Sequence, residues 1–332
     1  MRKKNVLISM LVLIVFCLNG CRQNTNDIVK AVETRIVRKA VTEVMAQMTE
    51  AREEWQMLQE EREEEITISE EEFLEEQYVG ETEILNFVDV FGEEYQVEIN
   101  PNVKKHEYEL DAFSHNDYYL SYIGDERYSY RNGIDVSHHQ GVIDWEKVKS
   151  AGYEFAFLRI GYRGYGELGK ICLDRCFFDN IKNAQAVGID VGVYFFSQAI
   201  NEEEAREEAE FVLKNLEGYE LQLPVVYDPE SILDAPARTD DVTGEQFTRN
   251  TIVFCEMVKN AGYEPMIYSN MLWESYQFDL ENLANYSIWY ADYEPLPQTP
   301  YNFVVWQYTN TARIDGVNGD VDLDIQLIPI QN

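Results

Sequence analysis

Residues 190–227 read DVGVYFFSQAINEEEAREEAEFVLKNLEGYELQLPVVY. The opening run, 190–196, is β-branched and aromatic and predicts a strand. The acidic stretch that follows predicts an amphipathic helix over 202–216. A second apolar run, 223–227, predicts another strand. Strand, helix and strand in this order form the repeating unit of a parallel α/β protein.

The same alternation extends outward in both directions. Further strands are expected at 133–137, 155–161, 265–269, 287–293, 303–308 and 321–325, which makes eight in all. Further helices are expected at 145–151, 174–187 and 244–261, and the later connections are shorter. Eight strands with mostly helical crossovers predict an α/β domain over 131–330, an irregular (β/α) TIM-like barrel, with a doubly wound open sheet as the alternative.

Upstream the composition changes. Residues 77–130 hold short alternating segments, Phe87-Val88-Asp89-Val90-Phe91 and Tyr95-Gln96-Val97-Glu98-Ile99, and read as a small β-containing connector that either covers the barrel or extends a groove. Residues 22–76 are rich in Glu, and Val37, Val41, Val44, Met48, Ala51, Trp55 and Leu58 form one stripe. This pattern predicts a long acidic helix, which is a coiled coil that self-associates through 37–58, a helix packed on its own chain, or a solvated stalk. Residues 1–21 have Arg2, Lys3 and Lys4 before an apolar run and end in Leu18-Asn19-Gly20-Cys21, which resembles a bacterial lipoprotein signal. The resemblance implies lipidation at Cys21 and an extracytoplasmic protein anchored to the cell membrane, since two acyl chains suffice for stable attachment.

A formal net charge of -34 excludes nucleic acid as the partner, because phosphate binding needs clustered cations. Nor does it attract an anionic membrane. Beyond Cys21, the thiols Cys172, Cys176 and Cys255 are odd in number and lack the companions of a metal set. His138 and His139 adjoin Asp135 but point apart in extended chain and lack a third ligand, so no metal and no cofactor is expected.

In a parallel barrel, functional groups gather at the carboxyl ends of strands. Those ends hold Asp135, then Asp228 and Glu230, then Asp292, with Asp320, Asp322 and Asp324 around the last strand. Asp228-Pro229-Glu230 is the informative set. Residues two apart in extended chain project to the same side with Cα atoms roughly 6 to 7 Å apart. Two carboxyl groups so placed raise each other's proton affinity, and one of them keeps a proton near neutral pH for acid catalysis. Asp292 is either a further site acid or a binder of backbone amides.

Gly133-Ile134-Asp135-Val136-Ser137, Gln140-Gly141 and Ile143-Asp144-Trp145 resemble the opening of family 25 glycoside hydrolases, the Chalaropsis-type lysozymes. The likeness continues through Val193-Tyr194-Phe195-Phe196, Val225-Val226-Tyr227-Asp228-Pro229-Glu230, Pro265-Met266-Ile267-Tyr268-Ser269, Ile288-Trp289-Tyr290-Ala291, Trp306-Gln307-Tyr308 and Val321-Asp322-Leu323. It implies hydrolysis of the β-1,4 bond between N-acetylmuramic acid and N-acetylglucosamine in the glycan strands of peptidoglycan. It also implies Glu230 as the acid, Asp228 as its partner, Asp135 and Asp322 on the floor, and Tyr194, Tyr268 and Trp289 around the sugar. Asp292 and Trp306 are added as expected substrate contacts. Phe195, where many relatives have His, and Pro229 depart from the family pattern; Phe195 bears on the shape of the pocket. Direct attack by water, a covalent intermediate and participation of the substrate N-acetyl group all remain open, the last being favoured. The competing class is a non-hydrolytic lipoprotein that binds peptidoglycan and tethers membrane to wall.

Overall fold

A computed structural model of the chain describes residues 83–330 except 117, 118 and 234. The expected signal, Cys21, the acidic helix and its self-association all lie outside the described residues.

Eight strands close on themselves. They are β5 (Tyr128–Val136), β6 (Phe155–Arg163), β8 (Asp190–Ser197), β9 (Val225–Pro229), β10 (Pro265–Asn270), β11 (Ser287–Ala291), β12 (Val305–Ala312) and β13 (Val321–Pro329). Each pairs with the next in that order, and β13 returns to β5. A short strand, β7 (Ile171–Leu173), adds to β6 outside the ring.

The sequence expectation of a parallel barrel needs one correction: β13 runs antiparallel to both β12 and β5. The segment between β12 and β13 contains no crossover helix, so the chain turns straight back. The reversal has a chemical consequence. The amino end of β13 meets the carboxyl ends of the other strands, so Asp322 lies opposite Asp135 in register.

Helices follow the earlier strands: α1 (Trp145–Ser150), α2 (Phe177–Ala186), α3 (Glu202–Asn215), α4 (Gly244–Asn260), and the short α5 (Met271–Tyr276) and α6 (Leu280–Leu283). Local chemistry fixes their starts. Asn201 caps α3 by accepting from the Glu204 amide at 3.0 Å, and Glu202, Glu203 and Glu204 favour the positive end of the helix. Ala205, Ala209 and Val212 then face the barrel, fully buried.

The outer face of β11, β12 and β13 is covered differently. The hairpin of β3 (Phe113–Asn116) and β4 (Tyr119–Tyr122) packs there, whereas the hairpin of β1 (Ile84–Val88) and β2 (Glu94–Glu98) lies beside α5, with Tyr95 at 6.2 Å from Tyr276. Phe113 meets Trp306 edge-on at 5.2 Å, and Tyr108 lies 5.0 Å from Phe303. The described residues accordingly belong to one compact unit. The expected strand over 87–91 ends early, because the Asp89 carboxylate accepts from the Phe91 and Glu93 amides and turns the chain.

The barrel interior has two levels. At the base, Phe155, Phe157, Val226, Met266, Trp289 and Val305 fill it with apolar volume. Space for these rings comes from glycine: a Cβ on Gly133 would stand 2.3 Å from the Phe155 ring, and one on Gly192 would stand 2.5 Å from Phe157. Arg131 seals the bottom, bonded to Gln326 and Asp190 and lying over the Phe155 ring. At the other level, the carboxyl ends carry the polar groups.

Candidate active site

Strand alternation places the acids. In β9, Val225 and Tyr227 face the outer core while Val226 and Asp228 face inward, and Glu230 follows on the inward side. Asp228 is buried, whereas Glu230 is partly open to solvent. No hydrogen-bond partner meets Asp228 Oδ1 among the described residues. Burial, reinforced by the charge of Glu230, pushes the Asp228 carboxyl well above its usual range. Burial and the charge of Asp322 push Glu230 up to about 7, against a partial opposing effect from Arg159.

Asp135 and Asp322 form the opposite wall, hydrogen-bonded to each other across the β5–β13 ladder. Burial and the neighbouring charges of Asp322 and Asp324 raise Asp135 well above the carboxylate range. Burial raises Asp322 to about 6, limited by its bond with Asp135. Asp324 lies deeper, where its Oδ1 accepts the Trp289 indole N–H at 2.8 Å. Four expected acids, Asp135, Asp228, Glu230 and Asp322, therefore share one mouth.

The expected aromatic contacts divide. Tyr194 is partly exposed, and Tyr268 retains 8% of its surface, so both can present to a ligand. Trp289 cannot: it is 1% exposed, stacked on Phe157 at 4.6 Å and covered by Tyr194 and Tyr268 at 5.9 and 5.0 Å. It is the floor beneath the site. Trp306 is corrected outright. It occupies the outer face of β12, fully buried against Phe113, with its indole N–H given to the Asp292 carbonyl at 2.8 Å. Alternation along β12 sends its neighbour Gln307 inward instead.

Asp292 is likewise no site acid. Its carboxylate accepts from the Glu294 and Gln298 amides at 3.1 and 2.9 Å and from the Tyr290 hydroxyl at 2.8 Å, which folds the loop after β11. Gln298 then clasps the backbone of Val88 in β1, accepting from its N–H at 2.8 Å and donating to its carbonyl at 2.9 Å. Phe195 does not shape the pocket either, since it is fully buried on the outer face of β8 against Phe211 of α3. His138 and His139 sit in a 3₁₀ turn rather than extended chain, so their rings come together at 4.2 Å instead of pointing apart.

Several polar residues at the mouth were not singled out by sequence reasoning. Arg159, on the inward face of β6, donates through Nε to Asp174 at 3.0 Å, and its charge reaches Asp228 and Glu230. Gln198 holds the backbone carbonyl of Glu230 at 2.6 Å while accepting from the Thr239 hydroxyl at 2.9 Å. Gln307 donates to Asp135 Oδ2 at 2.8 Å and accepts from the Tyr268 and Tyr293 hydroxyls, each at 2.9 Å. Alternation along 303–308 was the available signal for Gln307, because it opposes Gln307 to the apolar outward face.

A closed barrel with paired acids at one end matches a known family over residues 134–317, glycosyl hydrolases family 25. The chain belongs to that family. It is 30% identical over 199 residues to Lysozyme M1 of Streptomyces globisporus, covering 57% of this chain and 65% of that protein. It is 25% identical over 195 residues to the autolytic lysozyme of Clostridium acetobutylicum, covering 58% of this chain and 54% of that one. The match thus spans less than two thirds of either relative. The fold is also that of the modular autolysin LytC from Streptococcus pneumoniae, with a TM-score of 0.53 at 24% identity over 72% of this chain and 56% of that one.

Proposed function

We propose that this family 25 barrel is a cell-wall muramidase that hydrolyses the β-1,4 bond between N-acetylmuramic acid and N-acetylglucosamine in peptidoglycan. One observation carries the reading: Glu230, open to the mouth and holding its proton up to about 7, stands beside buried Asp228, whose Oδ1 has no protein partner among the described residues. A carboxyl that stays protonated near neutral pH can give its proton to a glycosidic oxygen. The two lysozymes among the relatives support the substrate class.

Glu230 is the general acid in this reading and Asp228 its partner. Asp135 and Asp322 supply negative charge as the sugar ring becomes cationic; Tyr194 and Tyr268 border the ring. Positive charge at the anomeric carbon favours the ionised forms of these carboxyls, so stabilisation grows as the transition state forms. The favoured route is attack by the substrate's own N-acetyl oxygen, with Asp228 orienting that group through its free oxygen. Cys21 and the acidic segment after it suit a lipid-anchored enzyme held off the membrane by a helix.

Digestion of purified peptidoglycan followed by mass spectrometry of reduced products tests the bond specificity. Muramic acid at the new reducing ends is expected; glucosamine there, or pelleting of the protein with uncut wall, contradicts the reading. Proton NMR of the nascent product tests the route: N-acetyl participation gives the β anomer first, and an α anomer excludes it.

A further inference from the structure

We propose that Gln307 is a positioning residue that sorts the two oxygens of Asp135, fixing Oδ2 as a hydrogen-bond acceptor and leaving the proton of the Asp135–Asp322 pair on the other oxygen, toward Asp322. The inference rests on the muramidase reading and adds a residue to it.

Gln307 is 3% exposed, and its amide has contacts at both ends. Nε2 donates to Asp135 Oδ2 at 2.8 Å, while Oε1 takes the hydroxyls of Tyr268 and Tyr293 at 2.9 Å each. An amide NH2 only donates and an amide oxygen only accepts. Two hydroxyls directed at Oε1 use both of its lone pairs, so the amide is anchored with its N–H toward Asp135. Asp135 in turn must offer an unprotonated oxygen there. Asp322 is its cross-strand partner and hydrogen-bond neighbour, and with Oδ2 held as an acceptor by Gln307 a proton shared with Asp322 is left to the other oxygen. Two carboxylates side by side do not both ionise readily, and one proton held between them relieves the repulsion.

The titratable groups around Asp135 come from several elements. Asp322 and Asp324 belong to β13, Tyr194 to β8 and Tyr268 to β10, and Tyr293 follows β11; the charges of Asp228, Glu230 and Arg159 reach the same tyrosines. Among these, the amide of Gln307 is the contact that distinguishes one Asp135 oxygen from the other.

Gln307→Glu and Gln307→Met test the proposal in the full chain. Glu keeps the acceptor for both tyrosines but competes for the proton of Asp135; Met keeps the approximate shape and removes the donor. In carbon-13 NMR of the carboxyl groups, Gln307→Glu should raise the ionisation midpoint of Asp322 by about one pH unit, because Asp322 loses its proton donor. The acidic limb of peptidoglycan hydrolysis should move with it, whereas Gln307→Met should raise the midpoint of Asp135. Because a new carboxyl shifts its neighbours by charge alone, the uncharged Gln307→Met decides: a merely structural role would lower the melting temperature and leave the Asp135 midpoint in place, and that outcome overturns the proposal. If neither variant folds, the unmodified protein decides: the Gln307 side-chain amide resonance must shift with the midpoint of Asp135, and an amide indifferent to that titration overturns it. These midpoints are read without any sugar. Shifted midpoints in a protein that releases no reducing ends would therefore sink the muramidase reading and leave the positioning role standing.

Discussion

The two levels of the barrel interior obey opposite rules. At the base, Phe155, Phe157, Met266, Trp289 and Val305 are packed to exclusion of solvent, and Gly133 and Gly192 give up side chains to make room for rings. At the mouth, four carboxyls are crowded together, and Asp228 Oδ1 is buried without a protein partner among the described residues. Burial of that kind costs stability, because desolvation disfavours the charged forms. Stability resides at the base and chemistry at the mouth, and the apolar floor under Tyr194 and Tyr268 strengthens the electrostatics above it.

That division can be broken most forcefully at Glu230. Glu230→Gln should lower turnover of peptidoglycan by about a thousandfold, since a positioned general acid contributes on that order, with the melting temperature unchanged or raised. Asp228→Asn should cost almost as much. Full activity in folded Glu230→Gln would refute the assignment of the acid.

The base should respond in the opposite sense. Phe157→Ala or Trp289→Ala should destabilise the fold by about 3 to 5 kcal/mol, read from the denaturant midpoint. A loss below about 1 kcal/mol in both variants would mean that the base is not tightly packed.

Stability should also depend on pH because the polar level is buried. Glu230 and Glu208 are raised to about 7 and Glu274 to about 8, each chiefly by burial, from an ordinary 4.5. A carboxyl whose folded proton affinity is raised holds a proton that the unfolded chain releases above about 4.5. Stability therefore falls as pH rises from about 4.5 through 7 to 8, by at most roughly 1.4 kcal/mol per pH unit for each such group. The melting temperature should be higher at pH 5 than at pH 8, and a rise over that interval would contradict the burial described above.

The smallest effect separates Glu274 from the site. It accepts a hydrogen bond from Thr299 beside a cavity of about 180 Å³ between the β1–β2 hairpin and α5–α6, away from the mouth. Glu274→Gln should reduce the loss of stability between pH 7 and 8 and leave hydrolysis unaltered, as comparison of melting curves and activity at the two pH values will show.

The sequence was most legible where periodicity and position coincide. Eight strands could be placed from β-branched runs, and Asp228 with Glu230 fell on one face because strand residues two apart must. Trp306 was expected at the site and Gln307 was passed over because alternation separates two faces without saying which is inward. That choice is made by barrel closure and by the β3–β4 hairpin covering β12. Asp292 was ambiguous for a related reason: an acid just past a strand either faces the mouth or caps the loop, and the Glu294 and Gln298 amides decide it. The reversal of β13 was hidden in a connection too short for a helix, and it is this reversal that brings Asp322 to Asp135.

The proton affinity of Glu230 is where fold and chemistry meet. Carbon-13 NMR of its carboxyl carbon, titrated in the free protein and compared with the alkaline limb of peptidoglycan hydrolysis, measures it directly. A midpoint near pH 7 that coincides with that limb is expected; a midpoint near the ordinary 4.5, with activity persisting well above it, would contradict Glu230 as the proton donor.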